Sequence, residues 1–225
     1  MATALRTLSV AEGRGVRAAA LAAAGVFFAL ALLVQLGVTI DVEWRVQQAA
    51  QGLRTAALES PMWAISLLGT GWALLPLTVL GALVVRARRA SFALSLVAAG
   101  VGATVIANLA KVLAIRQRPN TVLWSYPSAH TFGIVVFVTL LLYTLWAVDA
   151  PARWRALALG VGVVATAAVA ASRLYLNAHW IGDVVGGLAG GLAFALGAML
   201  ALDRGLRRDV AAPVTAVRPV GAVGR

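Results

Sequence analysis

The chain has no cysteine, a single lysine and two histidines, and only 12% of its 225 residues carry charge. Without cysteine there is no disulfide, no thiolate zinc site and no cysteine nucleophile. With so few charges and 61% hydrophobic residues, there is too little polar surface to cover a water-soluble globule, which runs nearer half apolar and a quarter charged. The solvent that suits this composition is lipid, and the length suits one compact bundle. The net charge of +11 would suggest nucleic acid in a soluble protein. Here the charges sit at the ends of apolar runs, so they are read as topology signals and membrane-surface contacts, with no nucleic-acid partner expected. Eighteen arginines against one lysine, with abundant Ala, Val and Gly, look like the codon bias of a GC-rich genome and give an expectation of bacterial origin.

A spanning helix needs about 20 apolar residues. Six stretches qualify, at roughly 18–39, 61–85, 91–115, 128–148, 156–174 and 181–202. Backbone groups in lipid must be satisfied internally, so these runs are expected to be helices, and the fold class is all-α: a polytopic membrane bundle of about six transmembrane helices. The first run is longer than a signal-peptide core and no A-x-A site closes it, so it is read as a span. With the N-terminus in the cytoplasm, thirteen of the Arg/Lys residues fall on the inner side and six on the outer. This bias places both termini in the cytoplasm of a cell (plasma) membrane. All tryptophans except Trp72 fall near span ends, as an interfacial belt requires. Residues 1–17 are then a cytoplasmic segment, 18–202 the membrane domain and 203–225 a mobile cytoplasmic tail. In the outer segment 41–60, Val42, Val46, Ala49, Leu53 and Ala57 recur at helical spacing, with Gln47, Gln48, Gln51 and Arg54 on other faces. That pattern predicts an amphipathic helix in the interface, able to shape how a lipid reaches a site.

Ionisable residues in or near spans default to function, and here they form three clusters on the outer side. The first is Lys111, Arg118 and Pro119, at the end of the third span. Taken alone, Lys111 snorkels and Arg116 and Arg118 form a surface basic patch. The second is Pro127-Ser128-Ala129-His130, at the start of the fourth span. A helix N-terminus offers free N–H groups to an anion, and Ser128 can cap the helix or donate to a phosphate oxygen. The third is Ser172-Arg173, His179 and Asp183. The gap of four puts His179 and Asp183 on one helix face, where a carboxylate can fix the imidazole tautomer and leave the other nitrogen as nucleophile or base. A packing-only His–Asp pair is the plain alternative. The only lysine and both histidines of the chain lie in these clusters. Together they bring three cations, two histidines, one serine and one aspartate to the outer ends of spans three to six. That set suits a phosphoryl group, whose transfer depends on positioning and charge stabilisation.

The pattern Lys111-x6-Arg118-Pro119, Pro127-Ser128-Ala129-His130 and Ser172-Arg173-x5-His179-x3-Asp183 resembles the three-part signature of the type 2 phosphatidic acid phosphatase superfamily, which includes lipid phosphate phosphatases and undecaprenyl diphosphate phosphatases. The motifs run from 111 to 183, and the six-span layout extends the likeness over most of the chain. One position departs: Ala129 stands where the signature has glycine, and its methyl could crowd a ligand.

The resemblance implies a hydrolase acting on a lipid phosphate or polyprenyl diphosphate at the extracytoplasmic face, without a metal or other cofactor. It gives His179 the role of nucleophile, forming a phosphohistidine. Asp183 would orient His179, and His130 would act as general acid and then base. Lys111, Arg118, Ser128, Arg173 and the backbone around Ala129 would hold the phosphate oxygens. Two other readings compete. One is a non-catalytic lipid-binding or transport protein. The other is a metal-dependent hydrolase with His130, His179 and Asp183 as ligands, which the three neighbouring cations disfavour. Gly186, Gly187, Gly190 and Gly191 in the sixth span suit close helix packing. Asn108 and Asn177 are further candidates for the pocket. Tail selectivity and oligomeric state are not encoded legibly.

Overall fold

The computed structural model describes residues 5–114, 116–121 and 124–211. Eight helices follow in order: α1 (Val10–Gln35), α2 (Ile40–Gly52), α3 (Ala56–Leu67), α4 (Gly71–Arg86), α5 (Ala90–Ala114), α6 (Ala129–Ala147), α7 (Ala152–Tyr175) and α8 (Ile181–Ala211). Five of them are long and apolar enough to cross a membrane, and a sixth crossing is made if the bent pair α3–α4 counts as one span. The expected all-α multi-pass membrane bundle is the fold of this chain. Among the described residues the only strand-like pairing is an isolated bridge between Gln117 and Trp124.

Local chemistry explains where the helices begin. Ser9 and Glu12 form a reciprocal capping box at the start of α1, satisfying two otherwise orphaned N–H groups. The second crossing, expected as one run, is broken by 42° between α3 and α4. The break falls at Gly69-Thr70-Gly71, where Thr70 caps α4 by accepting from the Ala73 N–H at 3.2 Å. Gly69 is needed there for space: a Cβ on it would sit 2.8 Å from the His130 carbonyl oxygen and 2.9 Å from Val169 Cγ1.

Helix α8 is the centre of the bundle, packed on α1 and α6. Its glycines let these neighbours approach. Added Cβ atoms would meet the Tyr126 ring at Gly186, the Ser128 carbonyl at 2.7 Å at Gly187, Phe27 at 2.6 Å at Gly190 and the Phe132 carbonyl at 2.7 Å at Gly191. The expected small-residue face therefore packs inside the bundle. Leucines and valines such as Leu21, Val84, Leu94, Leu113 and Val164 point outward, where lipid rather than water is the solvent that suits them.

At one end of the bundle Arg6 pairs with Asp149 at 2.9 Å and stacks on Trp146. At the same end the Leu8 N–H donates to Asp203 Oδ1 at 2.7 Å. Residues near both ends of the chain therefore share one side of the bundle. The first part of the tail expected from residue 203 is helical, because α8 continues to Ala211 and Asp203 is buried and paired with Arg207 at 2.8 Å. The rest of that expected tail lies outside the described residues. The opposite end gathers α2, the start of α3, the end of α5, the link to α6, and the link between α7 and α8.

Candidate active site

The residues of the three polar clusters meet at that second end. Lys111 stands in the last turn of α5 and Arg173 in the last turn of α7. The chain leaves α7 through Asn177, whose φ of 56° is a left-handed conformation that asparagine tolerates better than most residues. The turn is tied by the Ala178 and His179 N–H groups, which donate to the Arg173 carbonyl at 3.0 and 3.2 Å. This carries His179 back under Arg173. Asn177 itself accepts from the Gln47 amide, so its side chain fixes the turn.

His179 and Asp183 are both fully buried, with Nδ1 3.4 Å from Asp183 Oδ2. Ser125 Oγ lies 3.3 Å from the same Nδ1 and donates to the same carboxylate oxygen. That oxygen also accepts the Trp180 N–H at 2.8 Å, and Oδ1 accepts Arg116 Nη1 at 2.8 Å. The opposite ring nitrogen, His179 Nε2, is buried and has no hydrogen-bond partner. Burial pushes this imidazole well below its usual value, to about 4, against the pull of Asp183, and Lys111 and Arg173 push the same way as burial. At neutral pH the ring is neutral, with one nitrogen directed at a carboxylate and the other bare.

Ser128 is the N-cap residue of α6 but makes no side-chain cap bond. Its Oγ accepts from Thr131 at 3.1 Å, which leaves its own hydrogen to give. Its N–H donates to the Asp183 carbonyl at 2.9 Å, stitching the start of α6 to the start of α8. His130 lies within electrostatic range of His179, Arg173, Lys111 and Arg118. Arg118 reaches the Trp124 carbonyl through Nε at 3.3 Å. Arg173, almost wholly buried, donates to Ser66 at the end of α3 and keeps a second nitrogen, Nε, unpartnered.

Ala129 and His130 also line a mainly apolar cavity of about 310 Å³ between α4, α5 and α6. Its walls include Asn108, Thr104, Val136, Leu140 and Thr144. His179 is not among its lining residues.

Lys111, Arg118, Ser128, His130, Arg173, His179 and Asp183 thus lie at this end of the bundle, Asn108 lines the cavity, Asn177 serves the turn, and the Ser172 hydroxyl donates to the Val169 carbonyl of its own helix at 2.7 Å. Four others were not foreseen as partners: Ser66, Ser125, Arg116 and Glu43. Arg116, expected as surface charge, joins the buried carboxylates of Asp183 and Glu43. The amphipathic segment also differs from expectation. It is a helix, but part of its polar face points inward: Glu43 and Gln47 are 1% and 3% exposed, whereas Val42 and Leu53 are 62% and 72% exposed and Gln48 and Arg54 face outward. The site supplies polar partners to this face and lipid supplies the apolar one. Ala57 falls in the next helix, α3. The metal-ligand alternative for His130, His179 and Asp183 finds no geometry: among the described residues no three His, Asp or Glu side chains are grouped to hold an ion, and Asp183 is already engaged by Arg116, Ser125 and Trp180.

No functionally curated protein matches the chain by sequence. In solved structures it is similar to the crystal structure of a transmembrane PAP2 type phosphatidylglycerolphosphate phosphatase from Bacillus subtilis, with a TM-score of 0.74 and 22% identity, over 85% of this chain and 96% of that one. At that identity the likeness is one of fold. The sequence profile of the PAP2 superfamily matches residues 90–206, more than half of the chain and the whole run from Lys111 to Asp183; the chain belongs to the PAP2 superfamily.

Proposed function

We propose that the chain is a metal-independent phosphatase of membrane lipids that works through a phosphohistidine on His179. The observation that carries this reading is the bare Nε2 of a neutral, buried imidazole whose Nδ1 faces a carboxylate. A nitrogen so oriented has its lone pair free for attack. In the first step Nε2 bonds to phosphorus, the bond from phosphorus to the lipid oxygen breaks, and His130 gives that oxygen a proton. In the second, His130 takes a proton from water, the hydroxide attacks phosphorus, and the N–P bond breaks to release phosphate. Asp183 stabilises the charge that His179 gains. Lys111, Arg118 and Arg173, the Ser128 hydroxyl and the free N–H groups around Ala129 neutralise the phosphoryl oxygens, as electrostatic stabilisation of this transfer requires.

The cavity beside His130 supports a substrate with an apolar tail. It follows α6 from Ala129 to Thr144, a rise of roughly 22 Å along a helix. The charge bias of the loops supports a site on the extracytoplasmic face of the plasma membrane, with both termini in the cytoplasm. A lipid phosphate or a polyprenyl diphosphate fits this chemistry equally.

The test is phosphate release by detergent-purified protein in EDTA, from phosphatidic acid, phosphatidylglycerol phosphate and undecaprenyl diphosphate, with His179→Ala alongside. Release by the wild type alone supports the reading, and the preferred lipid names the substrate. No release from any of the three by folded protein refutes it in favour of a lipid-binding role.

A further inference from the structure

Asp183 meets a cation that belongs to none of the three motifs. Arg116 Nη1 donates to Asp183 Oδ1 at 2.8 Å, while its Nη2 pairs with Glu43 Oε2 on α2. The guanidinium is mostly covered, and both carboxylates are buried. It lies against the Trp180 ring, 5.7 Å from its centroid. Room for Glu43 is made by Gly182, where an added Cβ would collide with Glu43 Oε1 and lie 3.5 Å from Arg116 Nη1. Helix α2 is seated independently of this pair: Gln51 donates to the Leu174 and Tyr175 carbonyls at 3.1 and 3.2 Å, and Gln47 to Leu174 at 3.3 Å. These carbonyls end α7, and Leu174 also accepts the Asn177 N–H at 3.0 Å.

We infer that Glu43 and Arg116 are positioning residues for the reaction, acting through Asp183: Arg116 clamps the carboxylate, and Glu43 balances the charge of the clamp. This rests on the reading of His179 and Asp183 as nucleophile and orienting group. Arg116 gives Asp183 Oδ1 one N–H in a fixed direction, because Glu43 on the other nitrogen of the planar guanidinium sets the plane in which that N–H points. A buried arginine alone would also cancel the charge that Asp183 offers to His179 in the phosphorylated state. With Glu43 on the other prong, the three groups together keep one negative charge, and Asp183 is held without being neutralised. Lys111, Arg118 and Arg173 are then left for the substrate.

The experiment combines kinetics with imidazole 15N NMR on the full-length protein in detergent. Glu43→Gln, Arg116→Gln, their double variant and Gly182→Ala are compared. Each single change is expected to lower kcat about tenfold, the scale of a hydrogen bond to a charged group, with KM unchanged. The double variant is expected to be no slower than Arg116→Gln, because the two residues act as one unit. Gly182→Ala keeps all three charges and presses chiefly on Glu43, with Val34 Cγ2 at 3.2 Å as a lesser contact, so it is expected to behave like Glu43→Gln. The two-histidine composition makes the spectra assignable in a His130→Asn background. The wild-type arrangement should show His179 protonated on Nδ1 and bare on Nε2, and Arg116→Gln should mix the tautomers. Losses that multiply in the double variant, a fall in affinity with kcat intact, or an unchanged His179 spectrum in Arg116→Gln would each overturn the inference. If no variant, wild type included, releases phosphate, the phosphatase reading fails, and the tautomer spectrum still decides whether Arg116 orients the pair.

Discussion

Gly69 presses against the backbone of His130, so near that a methyl group on it would sit 2.8 Å from the His130 carbonyl oxygen and 2.9 Å from its Cβ. The bend in the second crossing and the first turn of α6 are therefore one packing unit. Gly69→Ala is expected to push His130 off its position and to lower kcat about tenfold or more, as ångström-scale misplacement does. Thermal stability should also fall, by about 1–3 kcal/mol for overpacking. Steady-state kinetics and a melting curve in detergent check both.

Ser125 is expected to support the His179–Asp183 pair from outside the known motifs. It touches both partners and is fully buried. Ser125→Ala removes a hydrogen bond to a carboxylate, about 1.5–3 kcal/mol, so kcat should drop roughly ten- to hundredfold. An effect on KM alone would show that Ser125 acts on substrate instead.

The stability of the protein should depend on His179 in mildly acidic solution. Its pKa of about 4 lies below the value of about 6.5 expected in an unfolded chain. The unfolded state therefore binds more protons between those values, and stability is lost as pH falls from about 6.5 towards 4. Melting temperature followed across that window should decline, and His179→Gln should flatten the slope.

Arg173→Lys should be a severe change despite keeping the charge. Arginine here donates to Ser66 and keeps another N–H unpartnered, and a lysine ammonium cannot reproduce two fixed directions. Activity is expected to fall about a hundredfold or more, while Ser66→Ala should cost far less. Ala129→Gly, by contrast, should change kcat by less than about threefold, since only one methyl group is removed from the cavity wall.

The fold and the motif residues were legible for a shared reason. Charge and imidazole are scarce in a membrane chain, so each occurrence stands out against the apolar background. Lys111, His130 and His179 were conspicuous on that ground alone. Arg116 was not, because an arginine at the end of a span is ordinary. Ser125 and Ser66 were hidden by the frequency of serine in loops and helix ends. Glu43 was missed because the segment around it was read with water on its polar side. The 42° break at Gly69 could not be seen in hydropathy, which measures oil content along the chain and not direction. The Gly-Thr-Gly triplet was the signal for it.

The inverted seat of α2 changes what counts as a conservative surface mutation. On a soluble protein, replacing exposed Val42 or Leu53 by a polar residue would be unremarked. Here those side chains face outward on a membrane protein, and the buried Glu43 of the same helix reaches Asp183, beside His179, through Arg116. A polar substitution at either position is therefore expected to loosen the seat of α2 and, with it, the Glu43–Arg116–Asp183 chain of contacts.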